Sequence, residues 1–484
     1  MKEVRVRIAP SPSGYLHVGT ARTSIFNWLF ARHNNGKFLV RIEDTDTERS
    51  DYSLVQPILD ALKWLGINWD EDPIYQSKRL DIYRKYVDEM LEKGLAYRCF
   101  CTSEELEEMR RIAVEEKKLM MYDRRWRDRP KEDVDAMLAQ GKPYAVRIRI
   151  PDGETTYHDI VLGEITKQNF ELEDFIICRT DGRAVYNMAV VVDDHEMGIT
   201  HVVRGNDHIS NTFKQIHIYR ALGWEIPQFA HIPLILRPDK RKVSKRLGDK
   251  DVAQYGQEGI LPEAMFNFLC LLGWSSKDDR EFYHYNELIE AFSLENVTKA
   301  NPIFNEEKLE ALNFEHLRAM PEHKIADLVA PLIVQAGYTT KYWLETRWEY
   351  LIKIIGLLKE RCRRLTDYVV QSEYFFHDEF KYDPEGINKR FKPESAEHLE
   401  LLAKKYEMLP KFDHDGTMNA LNAMAEELNI GKGKLIHPVR LAVTGVTAGP
   451  GLFELLEVIG KESSIKRMNK AAEFIRKMKE GGHE

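Results

Sequence analysis

Near its start the chain carries two β-branched runs, VRVRI at 4–8 and KFLVRI at 37–42, with one helical pattern between them. That spacing is too long for a hairpin and holds a complete crossover. A strand–helix–strand unit of this length makes its two strands parallel neighbours in one sheet. Parallel sheets are covered by helices on both faces, and their ligands bind at the carboxyl ends of the strands. Both of these ends are unusual: the first runs into PSPSGYLHVGT at 10–20, the second into EDTD at 43–46. The intervening helix is expected from about Ala21, with Ile25, Trp28 and Leu29 on its buried stripe. HNNGK should end it, Asn35 and Gly36 taking left-handed conformations.

With 484 residues the chain exceeds one core, so three to five domains are expected. Residues 54–94 read as helical, broken by GINWDEDP; from about Leu95 to Arg183 a charged helix (EELEEMRRIAVEEKK) and short strands (AVRIRI, DFIICRT) suggest an inserted α+β module. VYNMAVVVDD and THVVRGNDH then read as strands that resume the first pattern, followed by a helix at NTFKQIHIYRALG; helical periodicity dominates after Leu312. No run of about 18 apolar residues predicts a membrane span, and the N-terminus lacks an apolar signal core. Five scattered cysteines (99, 101, 178, 270, 362) do not form a disulfide framework, so a cytoplasmic location is expected. The net charge of −8 argues against nonspecific nucleic-acid binding but leaves room for a local basic face.

A glycine-bearing loop between a strand and a helix lets backbone N–H groups approach a phosphate, helped by the helix dipole. PSPSGYLHVGT is neither GxGxxG nor a lysine-bearing P-loop. His17 beside Gly19 suits a hydrogen bond to a phosphate gaining charge; alone, it equally suits an ordinary turn. The stretch RPDKRKVSKRLGDKD begins at Arg237, and its KVSKR sets Lys242, Lys245 and Arg246 around a serine. Such a loop can close on a triphosphate and neutralise leaving pyrophosphate, although an isolated one is more often a solvated basic loop.

Together, in this order, the two stretches resemble the paired motifs of class I aminoacyl-tRNA synthetases, HVGT standing for HIGH and KVSKR for KMSKS. RIAPSPSGYLHVGTART, FLVRIEDTD, NWDEDPIYQSKR, VYNMAVVVDDHEMGITHVVRG, FLCLLGWS and PGLFELLEVIGKE narrow the resemblance to bacterial-type glutamyl-tRNA synthetase over nearly the whole chain. The resemblance implies an α/β, Rossmann-like parallel-sheet catalytic domain with an α+β insertion, followed by an all-α anticodon-binding region. Its implied segments are 1–94 and 185–230 for the two catalytic halves and 95–184 for the inserted acceptor-binding domain. Residues 231–325 would form the stem-contact domain with KVSKR, and 326–375 and 376–484 two helical anticodon-binding domains. It further implies a glutamate–tRNA ligase that forms glutamyl-adenylate from ATP, with Mg2+ on the phosphates, and passes glutamate to the 3′ end of tRNA-Glu. The expected partners are tRNA-Glu, L-glutamate and ATP, with no membrane and a default monomer.

By the same resemblance His17, Gly19, Lys242 and Lys245 are catalytic, and Pro10, Ser13, Gly14, His17, Gly19, Thr20 and Lys245 bind ATP. Arg7, Ser11, Glu43, Tyr186 and Arg204 bind glutamate, and arginine's fork independently suits a side-chain carboxylate. The family's RGEDH is RGNDH here, so Asn206 is assigned no role. Some members hold zinc with C-x-C and a later C-x-H; this chain has Cys99 and Cys101 but Trp126 and Asp128 at the later positions, so no zinc and no other metal site is expected. Arg124, Arg125 and Arg127 give this segment a basic edge suited to acceptor-stem phosphates or to solvent. Arg361 in LLKERCRRLTDY aligns with the arginine that reads the third anticodon base and favours tRNA-Glu over tRNA-Gln. The alternatives are an enzyme that charges tRNA-Gln, alone or as well, and a tRNA-binding paralogue without catalysis. A glutaminyl enzyme is disfavoured because its anticodon half resembles a β-barrel protein.

Overall fold

The structure, a computed structural model, describes residues 2–45, 51–117, 122–243 and 250–480. The chain forms two compact units, one of residues 1–257 with 262–309, the other of 258–261 with 310–484. The strands in chain order are β1 (Arg5–Ile8), β2 (Lys37–Ile42), β3 (Ile74–Tyr75), β4 (Ala96–Cys99), β5 (Ala145–Ile148), β6 (Glu154–Asp159), β7 (Gly163–Gln168), β8 (Ile176–Cys178), β9 (His201–Gly205) and β10 (Gln228–Ile232).

As the crossover requires, β1 and β2 are parallel, with Arg7 opposite Leu39, and β3 continues parallel beyond β2. On the other side β9 lies beside β1, where the Thr200 N–H donates to the Arg5 carbonyl at 2.9 Å, and β10 pairs parallel with β9. The crossover helix, α1 (Val18–His33), is buried nearly all round, Ile25, Phe26 and Leu29 having no exposed surface. A helix wrapped by protein on every side belongs to a sheet covered by further layers. It starts earlier than the apolar stripe indicated, directly after His17. Its buried Arg22 donates to the carbonyls of Leu272 and Pro233, tying α1 to the end of helix Pro262–Leu271 and to the chain after β10.

At the other end of α1 only Asn35 takes the left-handed conformation (φ 53°). Gly36 is needed for a different reason. A Cβ there would collide with the Val4 carbonyl, where the α1–β2 turn passes against the start of β1.

VYNMAVVVDD is not a strand. It lies in the helix Tyr186–Glu196, with residues 187–194 all buried. A helix buried on all sides loses its amphipathic period, and three consecutive valines then imitate a strand. This changes where Asp193 and Asp194 point, because side chains one apart on a helix diverge by about 100° rather than the half-turn of a strand.

Within 95–184, β4, β5 and β8 form a separate antiparallel sheet packed around Met90, Val146, Ile148 and Ile177. The hairpin β6–β7 from the same stretch instead joins the main sheet, β6 running parallel to β10 with Asp159 opposite Phe229. The second unit is helical throughout its described residues; helices Ser395–Glu407 and Lys461–Glu480 pack around Leu399, Leu402 and Met468.

Gly36→Ala should cost about 1–3 kcal/mol, the range for forcing an atom into a packed site. The check is a lower urea midpoint for the first unit, with the second unit's transition unmoved.

Candidate active site

The loop after β1 is held from below. The Pro10 carbonyl accepts from the Glu43 N–H at 3.0 Å and the Pro12 carbonyl from the Asp51 N–H at 2.9 Å. Ser11 and Ser13 are exposed, Gly14 is half-buried, and His17 caps α1. His17 Nδ1 accepts from the Gly19 N–H at 3.1 Å, which leaves the ring proton on Nε2, 3.1 Å from the Thr20 hydroxyl. A Cβ on Gly19 would press on the His17 ring at 2.9 Å, so glycine is required where the ring folds back. No acidic residue occupies the first turn of α1, so its dipole is not answered locally. The Leu16 carbonyl accepts from the Val252 N–H at 3.1 Å, tying this seam to the chain just after KVSKR. Lys242 lies 2.7 Å from Asp207, in the turn after β9. Lys245 falls outside the described residues, as does Asp46.

At the carboxyl ends of β1 and β2 lies a buried charge network. Arg7 donates through Nε and Nη2 to Asp194 at 3.0 and 3.3 Å. Arg41 donates to the same Asp194 Oδ1 at 2.6 Å and to Glu43 at 3.2 Å. Asp193, one residue earlier on the helix, receives Gln76, Arg79 and Tyr83 at 2.7–2.8 Å. Burial alone would raise the Asp194 carboxyl, but Arg7 and Arg41 outweigh it and hold it below the usual carboxylate range. Burial raises Glu43, and Arg41 and Arg7 only partly oppose this. Asp44 is a structural group, accepting from the Ser77 N–H and hydroxyl at 2.8 and 2.6 Å. The pattern RIEDTD contained Arg41, but Val40 and Ile42 beside it read simply as a strand, and the strand reading of VYNMAVVVDD hid Asp193 and Asp194.

Arg204, at the end of β9, is buried with different company. Its Nη2 donates to the Thr212 hydroxyl at 2.6 Å and the Gln215 side-chain carbonyl at 2.8 Å, and its Nε to His231 Nε2 at 3.3 Å. Among the described residues its Nη1 is buried without a hydrogen-bond partner, and no carboxylate bonds to the group. Burial lowers its pKa. Tyr186 stands by, its hydroxyl 3.2 Å from His208 Nδ1. Burial first, then the Glu43 charge, pushes that phenol up to about 12, so it remains a donor. His208 is pushed down to about 4 by burial and by Arg204, and stays neutral.

This geometry can take an anion at the start of α1 and a carboxylate at Arg204, with a carboxylate of its own, Glu43, nearby. Residues 3–311 match the family described as tRNA synthetases class I (E and Q), catalytic domain, and residues 324–472 match an anticodon binding domain. The chain is 46% identical, over 96% of its length and 99% of the relative's, to glutamate–tRNA ligase of Thermodesulfovibrio yellowstonii. It is 44% identical to glutamate–tRNA ligase 2 of Thermoanaerobacter pseudethanolicus over 99% of this chain and all of that one. This chain belongs to the glutamate–tRNA ligase family. A solved glutamate tRNA ligase from Elizabethkingia meningosepticum, in complex with its amino acid, superposes with a TM-score of 0.89 at 35% identity, covering 98% of this chain and all of that one.

Where some members of this family place zinc, the residues do not fit a metal. Cys99 and Cys101 are free, Cys99 meets the Tyr122 hydroxyl at 3.4 Å, and Trp126 packs on the same small core. Asp128 is turned to Arg149 at 2.8 Å. Two thiols and an indole cannot complete a four-ligand site. The expected basic edge is largely neutralised: Arg127 and Arg124 lie 2.9 and 3.6 Å from Asp174, and Arg125 lies 2.8 Å from Asp123.

In the second unit LLKERCRRLTDY is not one helical face. Helix Trp348–Leu358 ends inside it and helix Leu365–Phe376 begins inside it. Lys359 pairs with Glu322, and Arg364 with Glu258 and Glu310. Arg361 is exposed and lines a cavity of about 890 Å3 with Tyr374, Phe380, Thr444 and Lys470.

Asp194→Asn should cost about 3–5 kcal/mol at neutral pH, because it leaves two buried guanidinium groups short of a counter-charge. The depressed carboxyl contributes fully above its unfolded value of 3.8 and loses that contribution as pH falls through its lower folded value. Urea unfolding at neutral pH should therefore separate variant from parent, and the gap should narrow on acidification below that window.

Proposed function

We propose that this chain activates L-glutamate with ATP and transfers it to the 3′ end of tRNA-Glu. The observation that carries the reading is the buried Nη1 of Arg204, a cationic donor whose guanidinium hydrogen-bonds only to neutral groups among the described residues. A substrate carboxylate supplies the charge that no described residue bonds to it, and Nη1 is left to donate a charge-assisted hydrogen bond to it. Arg7, its charge balanced by Asp194, contributes a second guanidinium at the same strand ends. Glu43 takes the α-ammonium, which restores the charged form that burial disfavours. Ser11 and the Tyr186 hydroxyl complete the amino-acid contacts.

ATP lies over Pro10, Ser13, Gly14, His17, Gly19 and Thr20, its phosphates at the α1 N-terminus. His17 offers its Nε2 proton to a phosphate oxygen as charge grows there. Lys242 is exposed in its pair with Asp207, and exposed pairs contribute roughly 0–1 kcal/mol, so it can move to the phosphates at little cost. Lys245 adds a second positive charge. Mg2+ travels with the ATP phosphates as part of the substrate. An α-carboxylate oxygen of glutamate attacks the α-phosphate. The new P–O bond forms as the bond to the β-phosphate bridging oxygen breaks, and pyrophosphate leaves. A hydroxyl of the terminal ribose then attacks the adenylate's carbonyl carbon, loses its proton and displaces AMP. Positioning and charge stabilisation supply the catalysis.

The residues 95–184 receive the acceptor end, and Arg361, left with no ionic partner among the described residues, reads an anticodon base in favour of tRNA-Glu. The protein acts in the cytoplasm as a monomer.

The test is charging of purified tRNA-Glu and tRNA-Gln with labelled glutamate and, separately, glutamine. Glutamate on tRNA-Glu alone is expected. Charging of tRNA-Gln by the parent enzyme would replace the discriminating reading, and no charging at all would leave a tRNA-binding paralogue. Arg361→Ala should lower kcat/KM for tRNA-Glu by about 10–100-fold, the loss of one or two charge-assisted bonds, with glutamate-dependent activation little changed. Glutamate KM should also rise on acidification, beginning at a higher pH than an ordinary carboxyl imposes, because Glu43 must be ionised to hold the ammonium and burial raises it. Glu43→Gln should raise KM at neutral pH and remove that limb of the profile.

A further inference from the structure

Behind Arg204 stands a second buried pair, His231 on β10 and Asp159 at the end of β6. His231 Nδ1 lies 2.6 Å from Asp159 Oδ2. Asp159 also accepts the backbone N–H groups of His231 at 3.1 Å, Val161 at 3.0 Å and Leu162 at 2.9 Å. Every neighbour of this carboxylate is a donor, and the pairing with His231, together with these N–H groups, holds it charged against the cost of burial. The proton between the two therefore sits on Nδ1, and Nε2 carries a lone pair. That lone pair faces Arg204 Nε at 3.3 Å and the Thr212 hydroxyl at 2.9 Å. The Thr212 hydroxyl in turn accepts from Arg204 Nη2, and Gln215, which accepts from the same Nη2, is anchored through its amide on Asn187 at 3.1 Å.

We propose that the Asp159–His231 pair positions Arg204 and thereby sets the preference for a side-chain carboxylate over an amide. The inference rests on the reading of Arg204 as the partner of the substrate's carboxylate. The interposed ring is the important part. A carboxylate placed directly on Arg204 would hold it equally well but would quench its charge. A neutral imidazole, oriented by a carboxylate one ring away, fixes Nε and leaves the positive charge and the Nη1 donor for the ligand. Glutamate then completes the charge balance, whereas glutamine leaves a buried cation uncompensated and presents its own donors to a donor. Neither residue touches the substrate in this account; both are positioning residues. Asp159 comes from the hairpin β6–β7, far from β9 and β10 in sequence, so its placement beside the pocket is a product of the fold.

The test is amino-acid-dependent ATP–pyrophosphate exchange with the full chain and tRNA present, using glutamate and glutamine as probes. Asp159→Asn puts an NH2 among donors and drives the His231 proton to Nε2, where it faces Arg204 Nε–H. His231→Asn keeps a donor toward Asp159 but removes the acceptor toward Arg204. Both should raise glutamate KM by about tenfold, leave ATP KM within about twofold, and lower the glutamate-to-glutamine kcat/KM ratio by about tenfold. His231→Gln, which can place a carbonyl oxygen toward Arg204, should recover glutamate KM to within about threefold of the parent.

Folded variants with parental glutamate KM and ratio would overturn the proposal. So would equal losses for ATP and glutamate with His231→Gln no better than His231→Asn, the pattern of a merely structural role. If Asp159→Asn does not fold, the two His231 variants decide. Arg204→Ala runs in parallel. An unchanged glutamate KM there removes the reading of the pocket itself, whereas a raised KM there with none in the other variants removes only the positioning.

Discussion

One carboxylate, Asp194, receives two arginines at once, and the amino-acid site depends on that interaction. Arg7 comes from β1, Arg41 from β2 and Asp194 from the helix Tyr186–Glu196. Three elements distant in sequence are thus pinned at one atom, Oδ1, in a place with almost no access to water. Burying such charges costs several kcal/mol each and is offset only when every partner is in place. The arrangement therefore fixes more than stability. Arg41 reaches on to Glu43, so Arg7 and Glu43, both proposed for the amino-acid pocket, belong to one rigid set.

Arg204 is held by a contrasting principle. Its hydrogen bonds go to a hydroxyl, an amide and an imidazole, so it is fixed without being neutralised. The two arginines proposed for the amino-acid pocket therefore differ: Arg7 is balanced by Asp194, and Arg204 awaits a ligand's charge. The HVGT seam uses a third device, in which His17 folds back onto the Gly19 N–H, caps the helix and sets its Nε2 beside the Thr20 hydroxyl. None of the three needs a large displacement to bind, which suits catalysis by positioning.

Much of this was legible in the chain. The crossover dictated a parallel sheet, and PSPSG with HVGT marked a strand end of the kind at which such sheets take ligands. Arg204 and Tyr186 could be singled out only once the resemblance gave them a context, since residue type alone gives neither a ligand. Asp193 and Asp194 were not legible. They follow an apolar run whose burial on all sides erased the helical period, and a strand reading sends them to opposite faces. The basic stretches at Arg124–Arg127 and around Arg361 show a complementary limit of sequence reading. A run of arginines shows charge, but not which carboxylates the fold brings to meet it, and here Asp174, Glu258, Glu310 and Glu322 meet most of it.

The sequence by itself determined the parallel sheet, the helical second half and the positions of the two stretches proposed to face the phosphates, because periodicity and glycine-bearing seams are local properties of a chain. Only the tertiary structure decided which charges remain available. Asp194 is taken by Arg7 and Arg41, Lys242 by Asp207 and Arg364 by its two glutamates, while Arg204 Nη1 is left buried and unpaired among the described residues. Electrostatic pairing depends on distances of a few ångströms between residues far apart in the chain, and burial multiplies its strength. No local pattern encodes either quantity.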